Sequence, residues 1–135
     1  MASANGVSGV RASAHYRLSA WRSLEARDAQ DYLDQEILTT ERLMVVRCLY
    51  RPGYDVPAHY HPQEQITIVE EGALQLVVEG EPVEVQAGQM IVIPPRVRHA
   101  TRVVGEAHAR ALNIFLAPEP TVVGGPHPTA PRMYR

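Results

Sequence analysis

The stretch PAHYHPQEQITIVEEG, residues 57–72, decides how the rest of the chain is interpreted. In an extended strand, side chains two residues apart point to the same face, so His59 and His61 project together. Gln65 has the same parity but follows a proline, so it reaches the same space only if the chain turns and a new strand begins there. His99, at the start of a later segment, adds a third imidazole. Two imidazoles from one strand and one from a distant strand are a common way to bind a metal ion.

Short segments rich in Val and Ile surround this stretch and predict an all-β fold. They are LMVVRCLY, QITIVEE, ALQLVVEG, PVEVQAG, MIVIPP, HATRVV and ARALNIFL. Seven or more short strands favour a sandwich or a barrel. Gly72, Gly80 and Gly88 recur every eight residues, each after such a segment, which predicts successive β-hairpins. The one helix candidate is RSLEARDAQDYL, residues 22–33, which has a weak apolar stripe.

The 135 residues match the size of one domain. The small, polar, aperiodic start predicts a mobile arm over residues 1–15. The barrel domain is expected over residues 16–118. A Pro/Gly-rich tail is expected over residues 119–135, because residues 117–131 hold five of the eleven prolines and a glycine pair.

The residue types that the chain lacks exclude several kinds of chemistry. All 13 basic residues are Arg, so mechanisms that need a Lys, including Schiff-base and P-loop chemistry, are excluded. Every serine lies at or before Ser23, which argues against a serine hydrolase. The single Cys48 forms no intrachain disulfide and is expected to be a small buried side chain.

Charge and hydropathy indicate the expected partners and location. A net charge of -2 gives no basic surface for nucleic acid, and no run is long and apolar enough to span a membrane. The expected location is the cytoplasm. The expected partners are a small-molecule substrate and a second copy of the chain in a homodimer.

The spacing of the candidate ligands resembles a known family. Residues 53–72 read G-x5-H-x-H-x3-Q-x6-G, and Gly88 is followed by x5, Pro94 and then His99. These blocks resemble the two motifs of the cupin superfamily, and the resemblance covers Leu43 to Pro118. It implies a double-stranded β-helix jelly roll that binds one divalent metal ion, with Zn, Ni, Mn and Fe as candidates. The ligands that it implies are His59, His61, Gln65 and His99.

Two positions depart from the pattern of that family. Gln65 stands where the family usually has Glu, and Arg96 stands where the second motif usually has Gly. The stretch HYHPQEQI, residues 59–66, resembles single-domain cupins of pectin degradation that ketonise unsaturated uronates, in which this Gln is a ligand. The small metal-dependent polyketide cyclases of the same fold are similar in length.

Three further residues are candidates for a catalytic role. Asn113 and Phe115 share one face of a strand, and Asn113 resembles the position of a proton-transferring Asp in the uronate-ketonising relatives. An amide does not titrate, so Asn113 is expected to orient a substrate oxygen or, alternatively, to cap its own backbone at a strand end. Arg96 is a candidate for binding a substrate carboxylate, and the alternative is a solvated side chain.

The glutamine favours redox-neutral chemistry. An amide keeps an oxygen donor but removes a negative charge, so a bound cation would be a stronger Lewis acid that stabilises an enolate. The sequence therefore predicts isomerisation, elimination or cyclisation of a small oxygenated substrate, such as an unsaturated sugar acid or a polyketide. The alternatives are an iron-dependent dioxygenase of a dicarbonyl or phenolic substrate and a non-catalytic module that binds a small molecule.

Overall fold

The computed structural model describes residues 10–21, 25–30 and 32–116, with side chains described for 10–21 and 32–116. Twelve strands lie within these residues. In chain order they are β1 (Arg11–Ala12), β2 (Arg17–Leu18), β3 (Glu25–Gln30), β4 (Leu33–Thr39), β5 (Leu43–Tyr50), β6 (Asp55–His59), β7 (Gln65–Glu71), β8 (Ala73–Val78), β9 (Glu81–Gln86), β10 (Met90–Ile93), β11 (His99–Val103) and β12 (Ala109–Leu116).

Two antiparallel sheets form a jelly roll. The larger sheet has the strand order β10-β7-β12-β5-β4-β3, and the smaller sheet has the order β6-β11-β8-β9. Side chains alternate between buried and partly exposed along β4, β5, β7 and β12, as expected for strands with one face on a core. The prediction of an all-β jelly roll is confirmed.

The apolar segments predicted most of the central strands. LMVVRCLY, QITIVEE and ARALNIFL coincide with β5, β7 and β12, and the other four segments begin within one residue of β8, β9, β10 and β11. These strands carry the alternation or the β-branched runs that the sequence makes visible. The strands outside these segments are β1 to β4 and β6.

The helix predicted over residues 22–33 is wrong where the structure describes that stretch. Residues 25–30 form β3, which pairs antiparallel with β4, with Glu25 opposite Ile37. β3 is an edge of the larger sheet. Hydrogen bonds to a neighbouring strand there outweigh a weak apolar stripe, because local propensity yields readily to tertiary context.

The three evenly spaced glycines all lie at turns, but only one of these turns forms the predicted hairpin. Gly80 follows Glu79 in a two-residue turn between paired strands β8 and β9, and both residues have positive φ, 49° and 85°. Such turns match the twist of antiparallel strands. Gly72 and Gly88 instead lie where the chain passes between the two sheets, since β7 and β10 belong to the larger sheet and β8 and β9 to the smaller.

The outer face of the larger sheet carries a row of apolar side chains. Cross-strand register places one from each of five adjacent strands in line, namely Val92, Ile66, Ile114, Val45 and Leu38. Met90 also lies on this outer face, beside Ile68, and is 61% exposed. The homodimer stays a prediction.

The domain boundaries also stay predictions. Within the expected N-terminal arm, Val10 is buried and β1 pairs with β2. The expected tail over residues 119–135 lies outside the described residues. In the described parts of the chain, no helix has the length and apolar character that a membrane crossing needs.

Candidate metal centre

The two sheets bring the four predicted ligands to one end of the barrel interior. His59 is the last residue of β6 and His99 is the first of β11, and the two are cross-strand partners in the smaller sheet. Gln65 is the first residue of β7 in the larger sheet, so a new strand begins there as the sequence predicts. His61 lies in the connection between β6 and β7. All four side chains are buried.

The three imidazoles lie close enough to share an ion. One ring nitrogen from each lies within 4.8 Å of those of the other two. The centroid of the His99 ring is 4.6 Å from that of His59 and 5.1 Å from that of His61. Two nitrogens bound tetrahedrally to one ion at about 2.1 Å are about 3.4 Å apart, so the rings need to move together by up to about 1.4 Å to bind one ion.

Main-chain carbonyl groups fix the orientation of all three rings. The Nδ1 atom of each imidazole donates a hydrogen bond to the carbonyl of a residue two positions away. The distances are 3.0 Å from His59 to Pro57, 2.9 Å from His61 to Gln63 and 2.9 Å from His99 to Val97. With the proton on Nδ1, the lone pair is on Nε2, which is the tautomer that a metal ligand needs.

Burial keeps these imidazoles uncharged. The pKa values of His59 and His61 are lowered, mainly because the charged form loses its hydration inside the barrel. The same loss lowers the pKa of His99 to about 4. All three rings are therefore neutral at neutral pH, and protons do not compete with a cation there.

Gln65 turns its carbonyl oxygen toward the histidines. The Oε1 atom lies 3.0 Å from Nε2 of His61, while Nε2 of Gln65 donates to Oγ1 of Thr67 at 2.8 Å. Since Nδ1 of His61 carries the proton, this contact joins two atoms that both offer lone pairs. Such a pair is stabilised by a cation placed between its members, so the donor set suits a metal ion with three imidazole nitrogens and one amide oxygen.

The structure buries two of the three candidate catalytic residues beside this centre. Phe115 lies edge-on to the ring of His61, with centroids 5.7 Å apart. Asn113 accepts a hydrogen bond from Oγ1 of Thr67 at 2.6 Å and donates to the hydroxyl of Tyr50 at 2.9 Å. Asn113 lies in the middle of β12 and bonds to other side chains, so the interpretation as a strand-end cap is wrong.

Arg96 contacts the metal-centre segment through its backbone. Its φ of 65° is left-handed, a conformation that glycine adopts without strain, and its amide donates to the carbonyl of His61 at 2.8 Å. The side chain is exposed. This geometry explains why the corresponding family position is usually Gly, whereas a role of the Arg96 side chain in substrate binding stays a prediction.

The interior near the centre is uncharged. Burial raises the pKa of Cys48 to about 11 and raises those of Tyr50 and Tyr54 as well, so the thiol and both phenols stay protonated. The buried polar side chains of the described residues are all amides, hydroxyls or imidazoles, with no carboxylate among them. A cation held there would keep its full positive charge.

One buried polar residue was not identified from the sequence. Gln35 lies on β4, a strand that the apolar pattern did not predict. Outside the motifs, His15 and His108 are exposed, and His127 lies outside the described residues.

Known proteins share this sequence pattern. Residues 46–115, just over half of the chain, match the model of the family described as "Cupin domain". The chain is 38% identical over 77 residues to the polyketide synthase CurC of Streptomyces cyaneus, a match that covers 55% of this chain and 50% of CurC. It is 37% identical over 73 residues to protein SchB of Streptomyces halstedii, covering 52% and 53%. The chain thus spans about half the length of these curated relatives.

Solved structures share the fold. The polyketide cyclase RemF from Streptomyces resistomycificus has a TM-score of 0.67 at 20% identity, covering 76% of this chain and 80% of RemF. KdgF from Halomonas sp. has a TM-score of 0.65 at 23% identity, covering 75% and 93%. With the family match and the jelly roll in agreement, the chain belongs to the cupin family.

Proposed function

We propose that the chain is a metal-dependent, redox-neutral enzyme that cyclises a polyketide. His59, His61, His99 and the Oε1 atom of Gln65 would hold one divalent ion. The observation that carries the proposal is the convergence of four uncharged donor atoms, above all the contact of 3.0 Å between two lone-pair atoms of His61 and Gln65.

The bound ion would supply a Lewis acid that acidifies a carbon next to a carbonyl group and favours the enolate form of the substrate. The chain supplies the geometry. Three main-chain carbonyls hold the imidazoles with Nε2 pointing inward, and Phe115 packs against the ring of His61. Because no carboxylate is buried beside the site among the described residues, the attraction of the cation for a developing oxyanion would be undiminished.

The uncharged interior favours cyclisation over sugar isomerisation. Ketonising an unsaturated uronate moves a proton between weakly acidic positions, which calls for a titrating side chain near the substrate. Among the described residues, Asn113 occupies that place and no carboxylate is buried beside it. A carbon between two carbonyls of a polyketide is acidic by itself, so a Lewis acid is sufficient to activate it.

The names of similar proteins point the same way. CurC is named a polyketide synthase and RemF a polyketide cyclase. In the proposed step, a C–H bond and the π bond of a carbonyl group break, and one carbon–carbon bond forms between the resulting enolate carbon and the carbonyl carbon of the same substrate chain. The proton lost from carbon ends on the former carbonyl oxygen. Dehydration then removes this hydroxyl group and a second hydrogen of the enolate carbon as water, and no oxidant is consumed.

The test is turnover of a linear poly-β-ketone thioester by protein loaded separately with Zn, Ni, Mn or Fe, in air and under anaerobic conditions. The expected product is cyclised and dehydrated, detected by mass spectrometry, and formed equally well without oxygen. Activity that requires and consumes oxygen would indicate a dioxygenase instead. Saturable substrate binding with no turnover at any metal would indicate a binding module.

A further inference from the structure

A chain of buried hydrogen bonds leads from the candidate metal centre across the larger sheet. The Nε2 atom of Gln65 donates to Oγ1 of Thr67 at 2.8 Å, and this hydroxyl donates to Oδ1 of Asn113 at 2.6 Å. The Nδ2 atom of Asn113 then donates to the hydroxyl of Tyr50 at 2.9 Å and to Sγ of Cys48 at 3.3 Å. All five side chains are buried.

The direction of this chain determines which atom Gln65 presents to the histidines. A threonine hydroxyl has one proton, and Thr67 gives it to Asn113, so Thr67 accepts from Gln65. The amide nitrogen of Gln65 is thereby held away from the centre and its oxygen faces Nε2 of His61. If the chain ran the other way, the amide N–H groups would face the centre, and these groups do not bind a cation.

The far end of this hydrogen-bond chain, at Asn113, favours the observed direction. The NH2 group of Asn113 has two protons and two acceptors, the Tyr50 hydroxyl and the Cys48 sulfur, so both protons are used in this direction. The cross-strand pairing of Thr67 with Asn113 keeps the two groups together, because the residues lie directly opposite each other on β7 and β12. A buried polar group left unsatisfied costs about 1–3 kcal/mol, which opposes rearrangement.

We propose that Thr67 and Asn113 are positioning residues that select the oxygen of Gln65, rather than its nitrogen, as the fourth metal ligand. The inference rests on the proposed metal site. A glutamate in place of Gln65 would need no such selection, since both of its terminal atoms are oxygens. A glutamine ligand therefore requires an orienting partner that a glutamate ligand does not.

The experiment measures Zn²⁺ affinity of the full chain by competition with a chromophoric chelator. Thr67→Val, which keeps the shape of threonine but removes the hydroxyl, is expected to weaken binding by roughly 10–100-fold, as for other groups that orient a ligand. Thr67→Ser keeps the hydroxyl and is expected to bind like the wild type. Thr67→Ala serves as a second hydroxyl deletion, and thermal unfolding in EDTA identifies the variants that fold normally.

The decisive comparison repeats Thr67→Val in a chain that already carries Gln65→Glu. The expected loss of affinity is much smaller there, because either carboxylate oxygen can bind the ion. Equal losses of Zn²⁺ affinity in both backgrounds would show a merely structural role and overturn the inference. If the wild type binds Zn²⁺ and the single variant Thr67→Val binds it equally well, the inference is overturned too. A wild type that binds no divalent ion would overturn the proposed function together with this inference.

Discussion

The Nε2 atom of His61 and the Oε1 atom of Gln65 face each other at 3.0 Å, although both offer lone pairs. The proton of His61 is on Nδ1, which donates to the carbonyl of Gln63, and the amide of Gln65 is oriented by Thr67. Two acceptors held at this distance inside a barrel stabilise a cation between them. The predictions below test this relationship and the backbone geometry that supports it.

Replacing Gln65→Glu is expected to strengthen metal binding and to slow cyclisation. The carboxylate adds an attractive charge, so affinity for Zn²⁺ rises by tenfold or more, about 1.4 kcal/mol or more. The same charge weakens the Lewis acid, so kcat falls. Chelator competition and product formation measure the two effects, and a variant unchanged in both would contradict the account of the uncharged donor set.

Removing one imidazole is expected to abolish tight metal binding. His99→Gln should weaken Zn²⁺ affinity by more than about 100-fold, because even a group that only orients a ligand contributes about 10–100-fold. The matched control is His108→Gln, since His108 is exposed and lies outside the cluster. Equal affinity of the two variants, measured by titration calorimetry, would place the metal elsewhere.

Stability of the metal-free protein is expected to fall as the solution is acidified. The folded state lowers the pKa values of the three clustered imidazoles, that of His99 to about 4, whereas an unfolded imidazole titrates near 6.5. Below about pH 6.5 the unfolded chain therefore takes up protons that the folded chain does not. The free energy of unfolding should fall by up to about 1.4 kcal/mol per pH unit for each imidazole, until the folded rings protonate.

Urea denaturation in EDTA between about pH 7.5 and about pH 5 measures this slope above the range in which most carboxyl groups titrate. His99→Asn removes one imidazole and should make the slope shallower. A free energy of unfolding that stays flat over this range, or an unchanged slope in the variant, would contradict the assignment of neutral buried rings.

Substitution by glycine is expected to stabilise the fold at Arg96 and to destabilise it at Arg98. Arg96→Gly relieves a left-handed backbone conformation and should raise the free energy of unfolding by up to about 1 kcal/mol, whereas Arg96→Val should lower it by at least about 1 kcal/mol. Arg98→Gly removes a side chain where φ is not positive, so it should be destabilising. If both glycine variants behaved alike in chemical denaturation, strain at Arg96 would be refuted.

Gly72 is expected to tolerate substitution less well than Gly88. A Cβ at Gly72 would lie 2.5 Å from the carbonyl oxygen of His108, whereas a Cβ at Gly88 would meet nothing within 4 Å. Both glycines have positive φ, so each alanine variant carries a conformational cost of about 1–2 kcal/mol. Gly72→Ala should lower the free energy of unfolding by roughly 1–3 kcal/mol more than Gly88→Ala does, because of the steric clash. Similar melting temperatures of the two variants would argue against this clash.

The sequence was sufficient for the parts of the fold that local patterns encode. β5, β7 and β12 alternate or run apolar over seven or eight residues, so their limits were predicted. β3 was mistaken for a helix, since pairing with a neighbour at a sheet edge leaves no local trace. β6 was not among the predicted strands. It contains Pro57, and it is an edge strand, which is where a sheet accommodates proline.

The residues of the candidate site were predictable from local spacing, but the contacts that depend on strand pairing were not. The spacing of His59, His61, Gln65 and His99 identified the residues that converge. The hydrogen-bonded chain beyond Gln65 was not predictable, because it depends on register between strands: Thr67 meets Asn113 only once β7 and β12 are aligned. Likewise, the spacing of the glycines indicated turns without showing which turns pass from one sheet to the other.

Cys48, the only thiol of the chain, is fully buried in the core, where its sulfur accepts a hydrogen bond from Asn113. Burial also holds its pKa near 11, so the reactive thiolate is scarce while the barrel is closed. A thiol-specific reagent can therefore modify the protein only when the barrel opens. The native sequence thus contains its own reporter of breathing motions, and the labelling rate with and without an added ion would show how far occupancy of the centre slows them.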